Sequence, residues 1–423
     1  MSKIIFLFLS LFTLSSCIRN PVTGKKELTV ISEQQEVSIG HDNFRSMQQA
    51  EGGPFTADKT LCEYVSRVGN KLARASARSH LPYEFVIVND STPNAWTLPG
   101  GKIAINRGLL TELHSEAELA AVLGHEIVHA DARHGAKGIE RGMLLQGGVV
   151  ALGTLMNNTK YNDILVQGGS VGAMLINQKY GRGHEFEADR YGMVYMTEAG
   201  YDPHAAVQLQ ETFLRLSKDK DPNWVEGLFA SHPPTRDRIE ANRATLTTLK
   251  SNKGFTGEKE YKEATSWLTS HQSSYKSYEK GKKALASKSY KSAQKLADEA
   301  LSSCPEEALF WHLKGEALLA QKSPVPAQKA FSEAISRNPN NFDFYLKRAQ
   351  AKKSLKDLSG AQVDLRKSLA LLPTGEGHEL LGRLLLMSGK RKEAIQHLQI
   401  ASKAESNAGK KAQKLLEHLS RTK

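Results

Sequence analysis

Between Ser115 and His134 the apolar residues Leu119, Val122, Leu123, Ile127 and Val128 recur at helical spacing, and Ser115 with Glu118 forms a capping box at the start. Upstream, Pro99-Gly100-Gly101 supplies turn chemistry between a strand ending near Trp96 and a strand through Ile103 and Ile105. Further helical patterns open at Gly183 and near Thr235. The apolar stretches 142–156 and 166–176 lie between the helical patterns at 115 and 183, and glycines interrupt them. Neither is long enough to span a bilayer, so they read as a core helix pair or as an apolar lip resting on membrane or substrate. Residues 246–274 hold Ser, Thr, Lys and Gly with little periodicity apart from Trp267-Leu268, and read as a linker.

Beyond the linker a period of 34 residues emerges. Trp311, Gly315, Ala327, Phe331, Ala334 and Pro339 follow the tetratricopeptide order of large, small, small, aromatic, small and Pro. Tyr345, Ala349, Ala361, Leu365, Ser368 and Pro373 repeat it, and Gly281, Ala293, Ala297, Ala300 and Pro305 precede it more weakly. Gly382, Ala394, Leu398 and Ala401 continue it with one residue deleted, which gives about four repeats and a capping helix from Gly409 to Leu419. Small residues let paired helices approach while bulky ones fill the seam. Stacked pairs form a concave surface suited to an extended peptide or a partner protein.

The net charge of +12 suggests nucleic acid until it is located. Residues 1–249 hold 25 Lys+Arg against 27 Asp+Glu, whereas 250–423 hold 32 against 18. The excess therefore belongs to the repeats. It reads as a solvated Lys-rich surface or as a face for an anionic partner, and no nucleic-acid signature accompanies it. At 24% charged and 40% hydrophobic residues, with no apolar run of about 18 residues, the composition excludes a polytopic membrane protein. The start is different. Lys3, the apolar stretch from Ile4 to Leu14 and Leu14-Ser15-Ser16-Cys17 read as a secretory signal ending in a lipobox-like Cys17. Ile18 stands where inner-membrane lipoproteins carry Asp, which suits sorting to the outer membrane. Only Cys62 and Cys304 remain, and no structural disulfide is expected.

His125-Glu126-Ile127-Val128-His129 lies within the helix that begins at Ser115. Imidazoles at i and i+4 project from one helical face and can reach one tetrahedral zinc, and Glu126 beside them can take a proton from metal-bound water. A catalytic zinc needs a third protein ligand. Glu185 and Asp189 share one face of the next helix. Glu185 can be that ligand, and Asp189 can accept the remaining N–H of a ligating imidazole. His114, His134, His184 and His204 read as outside the chemistry.

HExxH followed by Glu-x-Glu-Ala-Asp resembles metallopeptidase family 48, the gluzincins. Asn20-Pro21-Val22-Thr23-Gly24, Asn94-Ala95-Trp96-Thr97-Leu98-Pro99-Gly100-Gly101 and Ser231-His232-Pro233-Pro234-Thr235-Arg236-Asp237-Arg238-Ile239 resemble further family segments. The resemblance covers residues 20–245, with Trp96 where the family has Phe. It implies that the strand with Asn94 and Ala95 pairs with extended substrate. It also implies that His232 approaches the zinc, to stabilise the reaction's oxyanion or to plug the open site at rest, and that Arg238 supports that loop or the intermediate.

These readings predict an α+β, mostly helical chain: a gluzincin-type metalloprotease domain with a small sheet, followed by an all-α tetratricopeptide solenoid. The expected order is a signal with lipobox Cys over 1–17, the protease over 18–249, a linker over 250–274 and repeats over 275–423. The expected function is a zinc endopeptidase, with one Zn²⁺ per chain, acting on misfolded or stalled envelope proteins from the periplasmic side of the outer membrane. The membrane would be met through the lipid anchor and the segments 142–156 and 166–176, and an envelope assembly complex through the repeats. The alternative is a chaperone-like docking factor that works through the repeats with a largely closed zinc site.

Overall fold

A computed structural model describes residues 16–145, 180–219, 232–250 and 253–421. Residues 1–15 of the signal and the apolar segments, apart from residues 142–145, lie outside the described residues. Among those described, no helix is long and apolar enough to cross a membrane. The chain divides into two compact units. The first takes the described residues through Phe44 and from Thr60 to Thr265, and the second takes Arg45–Lys59 and the chain from Ser266 onward.

The first unit opens with a hairpin of β1 (Ser16–Arg19) and β2 (Lys26–Thr29), followed by α1 (Glu33–Ala50) and α2 (Lys59–Arg74). Its three-stranded sheet comprises β3 (Glu84–Val88), β4 (Ala95–Leu98) and β5 (Lys102–Asn106) in the order β3-β5-β4. β3 runs parallel to β5 and β4 antiparallel, with Leu98 opposite Lys102 across the turn. Gly100 and Gly101 both take positive φ, 77° and 80°, which side chains resist and glycine accepts. β4 is an edge strand of this sheet.

Helix α3 (Glu116–Asp131) carries the HExxH residues, and Ser115 caps it by accepting the Glu118 N–H at 3.1 Å. The helix that carries Glu185 and Asp189, α5 (Arg182–Glu198), crosses α3 where two glycines meet. A Cβ on Gly192 would lie 3.1 Å from the His125 nitrogen, and one on Gly124 would lie 3.2 Å from the Gly192 carbonyl. Backbone therefore approaches backbone, and the side chains one turn away converge. Between them run α4 (His134–Leu145) and the undescribed residues. α6 (His204–Asp219) and α7 (Arg236–Leu246) follow, α7 capped by the Thr235 hydroxyl, which accepts the Arg238 N–H.

The expected linker is not one. Residues 258–264 form α8 and 266–270 form α9. The carbonyls of Thr256 and Gly257 accept the Ala117 and Glu116 N–H groups at the start of α3. Buried Tyr261 donates to the Leu110 carbonyl at 2.6 Å. The segment hides in the sequence because it is held by backbone bonds and by scattered residues, Phe255, Tyr261, Trp267 and Leu268, that make no periodic apolar face. The protease boundary moves as well: Arg45–Lys59 belongs with the repeats. There the Gln49 side chain receives the Phe342 N–H at 2.8 Å, and Asn338 donates to the Pro54 carbonyl at 3.0 Å.

In the second unit α10 (Gln272–Ala286) pairs with α11 (Tyr290–Ser303), α12 (Ala308–Ala320) with α13 (Pro324–Arg337), α14 (Phe342–Ser354) with α15 (Leu358–Leu371) and α16 (Gly375–Met387) with α17 (Arg391–Ala401). α18 (Asn407–Arg421) follows and buries Ala412 against Leu398 and Ala401. The periodic small residues are buried, and a Cβ on Gly315 would stand 2.5 Å from the Phe331 ring. The turn inside each pair uses one left-handed residue: Lys288, Lys322, Lys356 and Gly389. Among the described residues, Cys62 and Cys304 are in no disulfide.

One buried histidine of the repeats makes a testable electrostatic site. His312 Nε2 lies 3.1 Å from Asp343, and its Nδ1 lies 3.5 Å from Glu316. Burial alone would lower its pKa, but the two carboxylates outweigh burial and raise it, against a weaker opposing field from Lys347. Its contribution to stability is therefore full below the ordinary imidazole value and is lost as pH rises through the raised one. An NMR titration should find the His312 midpoint above that of a free imidazole, and Asp343→Asn should bring it down. A midpoint at or below the free value in the unmodified protein would contradict this assignment.

Candidate metal centre

Four side chains from three segments point their donor atoms at one spot. His125 and His129 come from α3, Glu185 from the first turn of α5, and His232 from the Pro-rich stretch before α7. Their donor atoms all lie within 4.8 Å of one another. His125 Nε2 is 3.1 Å from His129 Nε2 and 3.1 Å from His232 Nδ1. Glu185 Oε1 is 3.4 Å from His129 Nε2 and 3.1 Å from His232 Nδ1. Donors bound at about 2.0–2.1 Å around a tetrahedral ion would stand about 3.3 Å apart. The donor set therefore fits a tetrahedral metal, with His232 at the fourth corner.

Charge supports the same reading. Glu126, Glu185 and Asp189 are buried around this spot with Arg238 as the neighbouring fixed cation. Burial lowers the His125 pKa, yet the carboxylates of Asp189 and Glu185 prevail and push it up to about 10. The cluster thus attracts positive charge, which a metal ion would provide. His129 goes the other way: burial, aided by His125, drives its pKa well below the usual value and keeps it a neutral donor. Glu126 sits beside the cluster, with Oε1 3.6 Å from His232 Nε2. Its Oε2 is buried without a hydrogen-bond partner among the described residues, and burial raises its pKa despite His232 and His125. An orphaned carboxylate oxygen at the mouth of a metal cluster is placed to receive a proton from water.

Asp189 Oδ1 lies 2.9 Å from His125 Nδ1, opposite the donor nitrogen. Arg238 clamps Asp189 through Nε at 2.7 Å and Nη2 at 2.6 Å, and reaches Glu185 with Nη1 at 2.9 Å. The same guanidinium donates to the Pro233 carbonyl at 3.1 Å, next to His232. One Arg thus ties the ligand helix, the imidazole orientation and the His232 loop together. Ala95 opens the edge strand β4, and Asn94 just before it has a buried Oδ1 without a partner. Cys17 lies in β1, in register with Leu28.

Two residues of the centre escaped the sequence. The Tyr180 ring stacks on His129 at 3.8 Å between centroids. His134 Nδ1 lies 2.8 Å from His129 Nδ1, although the spacing suggested a histidine outside the chemistry. The signal missing from the sequence is a left-handed residue: Arg133, with φ of 62°, ends α3 and swings His134 back beneath His129. His114 is exposed and His204 half-buried, and both stand apart from the cluster.

Two histidines and a glutamate converging from an HExxH helix and a crossing helix define a metallopeptidase-type centre. Residues 60–246 match Peptidase family M48. A putative beta-barrel assembly-enhancing protease of Vibrio cholerae is 28% identical over 239 residues, which is 53% of this chain and 47% of that protein. The mitochondrial metalloendopeptidase OMA1 of Schizosaccharomyces pombe is 32% identical over 224 residues, 52% of this chain and 63% of that protein. The Arabidopsis OM64 TPR domain shares 24% identity and a TM-score of 0.27, covering 27% of this chain and 96% of its own. The chain spans about half the length of the curated relatives it matches.

Proposed function

We propose that this protein is a zinc-dependent endopeptidase of the bacterial cell envelope that hydrolyses peptide bonds of misfolded or stalled envelope proteins. The observation that carries this reading is the four-donor cluster with the orphaned Glu126 carboxylate beside it. His125, His129 and Glu185 would hold the zinc, which when bound supplies a Lewis acid and acidifies water. Glu126 accepts the proton of the attacking water and delivers it to the leaving amine. Asp189, itself held by Arg238, keeps the His125 donor nitrogen turned toward the metal. The edge strand β4, entered through Asn94 and Ala95, receives an extended substrate segment by strand pairing. Similarity to an assembly-enhancing protease and to a mitochondrial metalloendopeptidase supports a quality-control role. In this reading Cys17 carries the lipid that holds the enzyme to the outer membrane, and the repeats capture substrate or an envelope assembly complex.

His232 makes the resting enzyme a closed one. Its Nδ1 occupies the corner that water and substrate need, 3.1 Å from both His125 and Glu185. The docking-factor alternative draws on the same observation, since a permanently closed site would leave the work to the repeats. Casein digestion by the full-length zinc-loaded protein separates the two. His232→Ala should cleave several-fold faster than the unmodified chain at the same zinc content, and a chelator should stop both. Cleavage by neither protein, with one zinc bound to each, would sink the endopeptidase and favour docking. Slower cleavage by the variant alone would mean that His232 assists the reaction instead of gating it.

A further inference from the structure

The two histidine donors are backed differently. Behind His125 stands a carboxylate, Asp189; behind His129 stands another histidine. We propose that His134 is a positioning residue that fixes His129 in its metal-binding tautomer, and that Glu187 and Asn20 hold His134 in turn. The inference rests on the metal site proposed above.

Hydrogen-bond logic allows one order through this chain. His129 faces the cluster with Nε2, 3.1 Å from His125 Nε2 and 3.4 Å from Glu185. A metal-binding Nε2 needs its lone pair, so the proton of a neutral His129 sits on Nδ1. That N–H meets His134 Nδ1 at 2.8 Å, and two ring nitrogens can bond only when one donates and the other accepts. His134 Nδ1 must accept, so the His134 proton lies on Nε2. Nε2 faces the Glu187 carboxylate at 3.4 Å without hydrogen-bond geometry, so Glu187 favours a proton there through its charge. Each tautomer dictates the next.

The surroundings hold these rings in place. His129 and His134 are 1% and 0% exposed, so no solvent is at hand to satisfy the His129 Nδ1–H. An unpaired buried N–H is costly, and without its acceptor His129 would favour rotation or the other tautomer, in which Nε2 carries the proton. The His134 ring lies flat on His184, 4.0 Å between centroids and 14° between planes, which fixes its tilt. Asn20 Nδ2 donates to Glu187 Oε1 at 3.4 Å and to Glu27 Oε1 at 3.1 Å. Its own Oδ1 accepts the Val22 and Thr23 N–H groups at 2.9 and 3.1 Å, so the residue is locked in a turn. Asn20 belongs to the Asn-Pro-Val-Thr-Gly stretch that follows β1. This gives that stretch a role within the domain: it steadies the outer end of a chain whose inner end is the metal.

The test is zinc affinity of the full-length protein, measured by competition with a chromophoric chelator, with the melting temperature of each metal-free sample as the folding control. His134→Ala should bind zinc about 10–100-fold more weakly, the size typical of a partner behind a metal ligand. His134→Asn should recover most of that loss, because an amide oxygen can accept the His129 proton where Nδ1 did. Glu187→Gln should fall between, and the double variant H134A/E187Q should be no weaker than H134A alone. Zinc affinity of a folded H134A within twofold of the unmodified chain would overturn the proposal. So would H134N as weak as H134A, or additive losses in the double variant. Should H134A fail to fold, H134N against E187Q decides, since a purely structural role predicts no change in zinc affinity for E187Q. An unmodified chain that binds no zinc would sink the metal site itself, whereas one that binds zinc no better than H134A sinks only the positioning role.

Discussion

Glu126→Gln should abolish peptide hydrolysis, lowering the rate by about 10²–10⁴-fold or more, while leaving zinc bound and the domain folded. The substitution preserves the volume of a side chain that is only 2% exposed, so it opens no cavity. It removes a buried carboxylate whose Oε2 has no partner among the described residues. An uncompensated buried charge costs stability, so the variant should melt at the same temperature as the unmodified protein or above it. Zinc content should not change, because the four convergent donors are His125, His129, Glu185 and His232, and Glu126 is not among them. The measurement is casein digestion with zinc content and melting temperature on the same samples. Activity within tenfold of the unmodified chain would show that another group takes the proton, and the assignment of Glu126 would fall.

Much of this centre was legible because its residues obey local periodicity. The α3 donors share one face at i and i+4, the Glu185–Asp189 pair does the same on α5, and a capping box marked where α3 begins. The repeats were legible for a related reason, since small residues at fixed intervals are what closely packed helix pairs require. What escaped was held by groups far apart in sequence. The helical pattern was read from Ser115 through His134, yet the chain turns at Arg133, a residue with no intrinsic preference for positive φ. Its side chain is bound by Glu36 at 2.6 Å and Thr29 at 3.1 Å, and by the Ile31 carbonyl. Three distant partners thus impose a turn that no local signal announces, and that turn delivers His134 to His129. The stretch around Tyr261 and the segment Arg45–Lys59 escaped for the same reason. Their attachments combine backbone carbonyls and polar side chains such as Gln49 with a few isolated buried residues, Phe55, Tyr261 and Leu268, too widely spaced to make a periodic apolar face.

Arg238→Ala should destabilise the metal-free domain by about 3–5 kcal/mol, the cost of removing one partner from a buried ion pair. Arg238 is 3% exposed, and its guanidinium meets Asp189 twice and Glu185 once. Burial would raise the Asp189 pKa, but Arg238 outweighs burial and holds it below the ordinary carboxylate range. That stabilisation is present above the unfolded-state pKa of Asp and is lost as pH falls through the depressed one. Without the guanidinium, Asp189 and Glu185 would face each other's negative charge in a dry site, and the Pro233 carbonyl would lose its donor. Arg238→Lys should recover only part of the loss, because an ammonium cannot reproduce the planar fork that spans both carboxylates. Zinc changes the size of the effect in a definite direction. A cation bound by Glu185 compensates one of the two stranded charges, so the variant should lose less stability with zinc than without it. Urea unfolding of the unmodified, Arg238→Ala and Arg238→Lys proteins, each with and without zinc, measures all of these. Equal losses with and without zinc would mean that Glu185 is not a ligand and that Arg238 serves Asp189 alone.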